Sequence, residues 1–122
     1  MMKKNKMSKK IFIVYGHHNT KKSFNASIRD TFINEARKNG HEIDLINLHD
    51  EKPISFYDGS EPDEQILDYR KRLEKSDVLF MISPCYNLRA TAILENWIDL
   101  TLAPKWFFSF KRLVGNWGYP VA

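Results

Sequence analysis

The sequence predicts an α/β domain, an open parallel sheet with helices on both faces, built from its first three βα units with strand order 2-1-3. Two observations carry this. Short, continuous apolar runs rich in β-branched and aromatic residues, "IFIV" and "VLFMI", have the composition of strands buried on both faces. They alternate with longer segments of helical apolar spacing, so the order is strand, helix, strand, helix, strand, helix, as in a helix-covered parallel sheet. Right-handed crossovers then place the first strand between the second and the third.

The first strand runs from Lys10 to Tyr15 and is closed by Gly16. The helix after it is expected to bury one stripe, Phe24, Ile28, Phe32 and Ala36, and to stop at Gly40 after "RKN". "HEIDLINL" supplies the second strand, with Ile43 and Leu45 on one side. In "HDEKPISFYDGSEPD", prolines and a glycine among charged residues mark a surface loop. It leads into a helix with Asp63 and Glu64 in its first turn, where carboxylates suit the helix dipole, and with Ile66, Tyr69 and Leu73 buried. "DVLFMIS" is the third strand, ending at Ser83 and Pro84. The last helix buries Ile93, Leu94, Trp97, Ile98 and Thr101 or Leu102.

At 122 residues and 43% hydrophobic, the chain is long enough for one ordinary core. Ile11 to Val14 is too short for a signal-peptide core or a membrane span, which points to a cytoplasmic protein. The single cysteine, Cys85, excludes an internal disulfide and any multi-cysteine zinc site. The formal charge of +4 is concentrated in Lys3, Lys4, Lys6, Lys9 and Lys10, without which the remainder carries −1. Residues 1–9 are therefore read as a basic solvated tail, with Met7 as an alternative start, and residues 10–122 as the domain. No nucleic-acid partner is expected.

The stretch "IVYGHHNTKKSFNASI", residues 13–28, lies where the crossovers diverge, at the carboxyl ends of strands one and three, the place where open α/β sheets bind ligands. A loop entering a helix offers unpaired N–H groups and the positive end of the dipole, which suits a phosphate. Ser23, Asn25, Thr20 and either histidine add donors, and Lys21 and Lys22 add charge. The P-loop and GxGxxG patterns are both absent. A metal site is disfavoured, because adjacent histidines on an extended segment tend to point apart and no cysteine or carboxylate stands at helical spacing nearby. A catalytic histidine lacks an orienting partner in the sequence, and a helix cap with solvated histidines is the plain alternative.

The two loops resemble those of the NAD(P)H quinone oxidoreductase family of flavodoxin-like flavoproteins, which includes mammalian quinone reductase and the bacterial modulator-of-drug-activity and potassium-efflux ancillary proteins. After its first strand that family reads histidine, a short polar linker, then Ser-Phe-Asn; here the string is "HHNTKKSFN". After its third strand it reads Pro-x-x-Trp-x-x-x-Pro-Ala-Ile-Leu-Lys-x-Trp-Ile-Asp; here it is "PCYNLRATAILENWID". The similarity extends from Lys10 to about Phe110, and "AILENWID" with "APKWFFSF" is its most specific part.

The resemblance implies a flavodoxin-like fold, FMN (or FAD) as cofactor, NAD(P)H as co-substrate, a quinone or similar acceptor, and a homodimer or a partner chain. It assigns the flavin phosphate to His17 or His18, Asn19, Ser23, Phe24 and Asn25. The ribityl chain and ring fall to Pro84, Cys85, Tyr86, Asn87 and Leu88, mainly through backbone atoms. No catalytic acid or base and no metal is expected, since the flavin performs the chemistry. Three positions depart from the pattern: Asn87 for tryptophan, Arg89 for a small residue and Thr91 for proline. They predict weaker or altered flavin binding, with Arg89 crowding the backbone.

The family continues through two more strands and a Gly-rich loop, whereas this sequence stops at "GNWGYPVA". The expectation is a C-terminally truncated relative, with one side of strand three unpaired. The rival reading is a non-enzymatic flavin-binding or interaction subunit that pairs with another chain through that edge. Trp106 to Phe110, "WFFSF", is a substrate wall, a dimer surface or core.

Overall fold

The computed structural model describes residues 7–114 and 117–121, with side chains through residue 109. β1 (Lys10–Tyr15), α1 (Phe24–Lys38), β2 (Glu42–Asn47), α2 (Glu64–Glu74), β3 (Val78–Ile82) and α3 (Ala92–Thr101) follow one another as the sequence predicts. The three strands form a sheet of order β2-β1-β3, parallel at both pairings. Ile13 stands opposite Leu45 on one side and Phe80 on the other.

The central strand is buried from Ile11 to Tyr15 because both its faces are covered. Phe12 and Val14 join Ile66 and Tyr69 of α2 and Leu94 and Trp97 of α3 in one core cluster. Ile11, Ile13 and Tyr15 join Ala26, Ile33 and Ala36 of α1 in the other. Each fully buried large apolar side chain contributes roughly 1.5–3 kcal/mol of transfer free energy.

The helix ends obey local chemistry. Ser23 caps α1 and Asp63 caps α2, their side chains accepting from Ala26 N and Ile66 N. Gly40, at φ +82°, closes α1: its N–H donates to Arg37 O at 3.0 Å and His41 N–H to Ala36 O at 3.0 Å, the paired bonds of a Schellman motif.

One expectation about α1 is overturned. Phe24 is 81% and Ile28 40% exposed, and the buried face is Ala26, Arg29, Ile33 and Ala36. At 3.6 residues per turn an i, i+4 series drifts by about 40° per step, so the expected stripe walks off the core. Alternating steps of three and four stay on it. Phe32 is half-buried against Phe80, ring centroids 4.3 Å apart.

Two arginines lock α2 in place. Arg72 grips Asp44 of β2 through Nη2 at 2.6 Å and Nε at 3.0 Å, and this bonding holds the Asp44 carboxyl below its ordinary pKa. Arg70 donates to the carbonyls of Leu100 and Thr101 and lies 5.0 Å from the Trp106 ring centroid. Trp106 is thus half-buried against α2, whereas Phe107 is 46% exposed. The side chain of Phe110 lies outside the described residues.

Ser8 and Lys9, assigned to the tail, are fastened to the domain. Ser8 Oγ donates to Gly40 O at 2.7 Å and Lys9 N–H to His41 Nδ1 at 3.0 Å. Residues 1–6 lie outside the described residues. β4 (Ser109–Val114) and β5 (Trp117–Val121), which the sequence reading did not anticipate, pair antiparallel as a separate two-stranded sheet. Among the described residues no strand lies on the outer edge of β3, and no helix is long and apolar enough to cross a membrane.

Candidate functional site

The segments after β1 and β3 meet at Gly16. Its N–H donates to Ile82 O at 2.8 Å, and its carbonyl accepts from the buried Thr91 Oγ1 at 2.7 Å. A Cβ on Gly16 would stand 2.9 Å from Leu94 Cβ and 3.0 Å from Thr91 Oγ1, so close packing of β1 against the start of α3 requires glycine here. Thr91 stands where the resembled family has proline, and its hydroxyl ties the two loops together.

The first loop folds back on itself. His17 Nδ1 accepts from Asn19 N–H at 2.9 Å, and Asn19 Oδ1 accepts from the N–H groups of Lys21 and Lys22 at 3.1 and 2.7 Å. The rings of His17 and His18 stack with centroids 4.3 Å apart, contrary to the expectation that they point apart. Ser23 Oγ contacts Tyr15 OH at 2.8 Å and accepts from Ala26 N–H at 2.9 Å. Its hydroxyl is thereby engaged within the protein, so Ser23 organises the helix start rather than adding the free donor that the sequence suggested.

The donors that remain are backbone N–H groups. Among the described residues, those of Ser23, Phe24 and Asn25 have no protein acceptor, as the first turn of a helix requires. The first turn of α1 carries no acidic residue, whereas those of α2 and α3 carry Glu64 and Glu95. The positive dipole end of α1 is therefore uncompensated, with exposed Lys21 and Lys22 beside it. These residues fit a phosphate group.

In the second loop, Tyr86 and Arg89 exchange backbone hydrogen bonds at 3.0 and 3.1 Å around Asn87 (φ 53°) and Leu88 (φ 62°). This is a tight turn with two left-handed central residues, normally the province of Asn-Gly. It presents Leu88 at 97% exposure and Tyr86 at 46%. Pro84 is half-buried and Cys85 exposed. Arg89 is exposed, with Nη1 donating to Ala90 O at 3.3 Å. The structure thus brings both predicted groups to the carboxyl end of the sheet, one on each side of the Gly16 junction.

A family described by a flavodoxin-like fold matches the chain over residues 9–120. The chain belongs to that family. This flavodoxin-like protein is 25% identical over 125 residues to the ribosyldihydronicotinamide dehydrogenase (quinone) of Pongo abelii, an alignment covering 82% of this chain and 54% of that one. A putative quinone reductase from Klebsiella pneumoniae superposes with a TM-score of 0.75 at 21% identity, over 91% of this chain and 52% of that one. An FMN-dependent NADH-azoreductase from Bacillus anthracis, solved in complex with FMN, gives 0.67 at 15% identity, over 82% and 59%. These structures share the fold, and the flavodoxin-like chain spans about half the length of such relatives.

A concavity of about 570 Å³ lies elsewhere on the flavodoxin-like domain, between the 54–63 loop, α2 and Ala103–Trp106. It shares no residue with either loop, and chemistry rather than size locates the site. The sequence reading assigned no loop-holding role to Tyr15, Arg29 or Thr91, although it noted Thr91 in place of the resembled family's proline. Only a tyrosine at the end of an otherwise apolar strand, and an arginine on a helix's apolar face, offered a signal.

Proposed function

We propose that the protein binds a flavin nucleotide, FMN or FAD, at the carboxyl end of its sheet and serves NAD(P)H:quinone-type oxidoreduction. The observation that carries this is the junction at Gly16: an uncompensated helix N-terminus with free N–H groups on one side, an exposed apolar turn on the other. The flavin phosphate sits on the N–H groups of Ser23, Phe24 and Asn25, with Asn19, His17 and His18 lining the loop. Pro84, Cys85, Tyr86, Asn87 and Leu88 border the ribityl chain and ring, where Leu88 offers apolar surface. A bound flavin supplies two-electron transfer from a nicotinamide to a quinone-type acceptor. The protein's own part is to hold and orient, and no side chain is assigned a proton transfer.

The visible spectrum and melting temperature of the purified protein test this, with and without excess FMN and FAD. Flavin at roughly a hundredfold excess over Kd adds about 2.7 kcal/mol of stability. A colourless protein whose melting point ignores both flavins refutes the reading. Oxidation of NADH or NADPH with a soluble quinone then separates enzyme from binder.

One observation favours a second reading, a subunit completed by another chain. β3 pairs only with β1 among the described residues, and its sequence, VLFMI, carries no charge. Val78 and Met81 are 41% and 40% exposed. An apolar edge without charged residues is suited to accept a further strand.

A further inference from the structure

We propose that Tyr15 and Arg29 are positioning residues for the phosphate cradle, holding the 17–23 loop in the shape that leaves the N–H groups of Phe24 and Asn25 free for a phosphate monoester. This rests on the phosphate-binding reading given above. Tyr15 ends β1 at 0% exposure, so its hydroxyl must be matched inside the protein. Its one proton is donated to Asn19 O at 2.8 Å. The 2.8 Å contact with Ser23 Oγ therefore runs the other way, with Ser23 donating to the phenol oxygen. Ser23 Oγ in turn accepts from Ala26 N–H at 2.9 Å. One phenol thus pins the loop at two points, Asn19 and the helix cap Ser23, and Asn19 organises the stretch between them through Lys21 and Lys22 N–H.

Arg29 holds the phenol in place. It is 6% exposed on a helix face otherwise made of Ala26, Ile33 and Ala36, where burial of a cation costs free energy that an aliphatic residue would avoid. Its guanidinium carbon lies 4.5 Å from the Tyr15 ring centroid. Nε donates to Asp30 Oδ1 at 2.9 Å, and Nη1 to Asn47 Oδ1 at 2.8 Å, at the end of β2. The arrangement links β2, α1 and the tip of β1 to one aromatic ring, and through its hydroxyl to the cradle.

Tyr15→Phe keeps the ring and removes the hydroxyl; Arg29→Met keeps apolar bulk and removes the cation. Each is titrated with FMN and with riboflavin, which lacks the phosphate, by flavin fluorescence, alongside the wild type. FMN affinity is expected to fall about tenfold in each variant, the scale of one hydrogen bond serving a charged group, with riboflavin affinity unchanged. A purely structural role lowers the melting temperature and leaves the FMN-to-riboflavin ratio alone; an unchanged ratio in both variants overturns the proposal. Where the wild type gives no measurable ratio, the flavin reading has failed, and inorganic phosphate is titrated against the amide resonances of Phe24 and Asn25. Shifts that weaken in Tyr15→Phe sustain the positioning role. Equal shifts in the two proteins, or none in the wild type, overturn it.

Discussion

At the scale of single residues, Gly16 is held by close contacts on the side where a Cβ would stand. It needs no left-handed backbone; what it needs is the absence of a Cβ, because Leu94 Cβ and Thr91 Oγ1 occupy the space at 2.9 and 3.0 Å. Gly16→Ala is expected to destabilise the fold by about 1–3 kcal/mol through overpacking, read as a lower urea midpoint at unchanged slope. A midpoint equal to wild type refutes the tight junction. The sequence marked Gly16 as the end of a strand, but not as the contact between two loops, because that role depends on residues more than seventy positions away.

At the scale of elements, α2 is joined to β2 by Arg72 and Asp44. The charge-assisted bonding from Arg72 lowers the pKa of Asp44 from 3.8, more than offsetting the opposing effect of burial. A carboxyl whose folded pKa is depressed adds stability that is present above its unfolded pKa and is lost as the pH falls through the folded one. The wild type is therefore expected to melt above Asp44→Asn at neutral pH, with the gap closing below pH 3.8. A gap that stays constant into acid shows that the pair contributes through shape alone. α1 carries a different lesson: its existence and stop signal were legible, but its buried face was misjudged. Phe24 and Ile28 look like core residues by hydropathy, yet they are rotated around the helix away from the face that Ala26, Ile33 and Ala36 turn to the sheet.

At the scale of the whole molecule, the three-stranded sheet leaves the outer edge of β3 open among the described residues. β2, the other edge, carries Glu42 and Asp44, charges that oppose pairing with a foreign strand. Association through β3 is therefore expected to depend on concentration and to respond to Met81→Lys. Sedimentation velocity measures this: wild type larger than a monomer and Met81→Lys monomeric supports a partnered edge, whereas a wild type that stays monomeric at high concentration speaks against it.

Strand periodicity, alternation with helices and the two loop motifs settled the architecture from sequence, because continuous apolar runs and caps act over a few residues and need no distant partner. They also located the candidate phosphate loop, since a polar string between a buried strand and a helix has few other uses at the switch point of such a sheet. Tertiary structure decided what holds that loop. The engagement of Ser23, the Thr91 bond to Gly16 and the burial of Arg29 over Tyr15 each join residues whose nearness exists only after the sheet has formed. No local spacing encodes such contacts, because hydrogen bonds and ring contacts depend on distance in space.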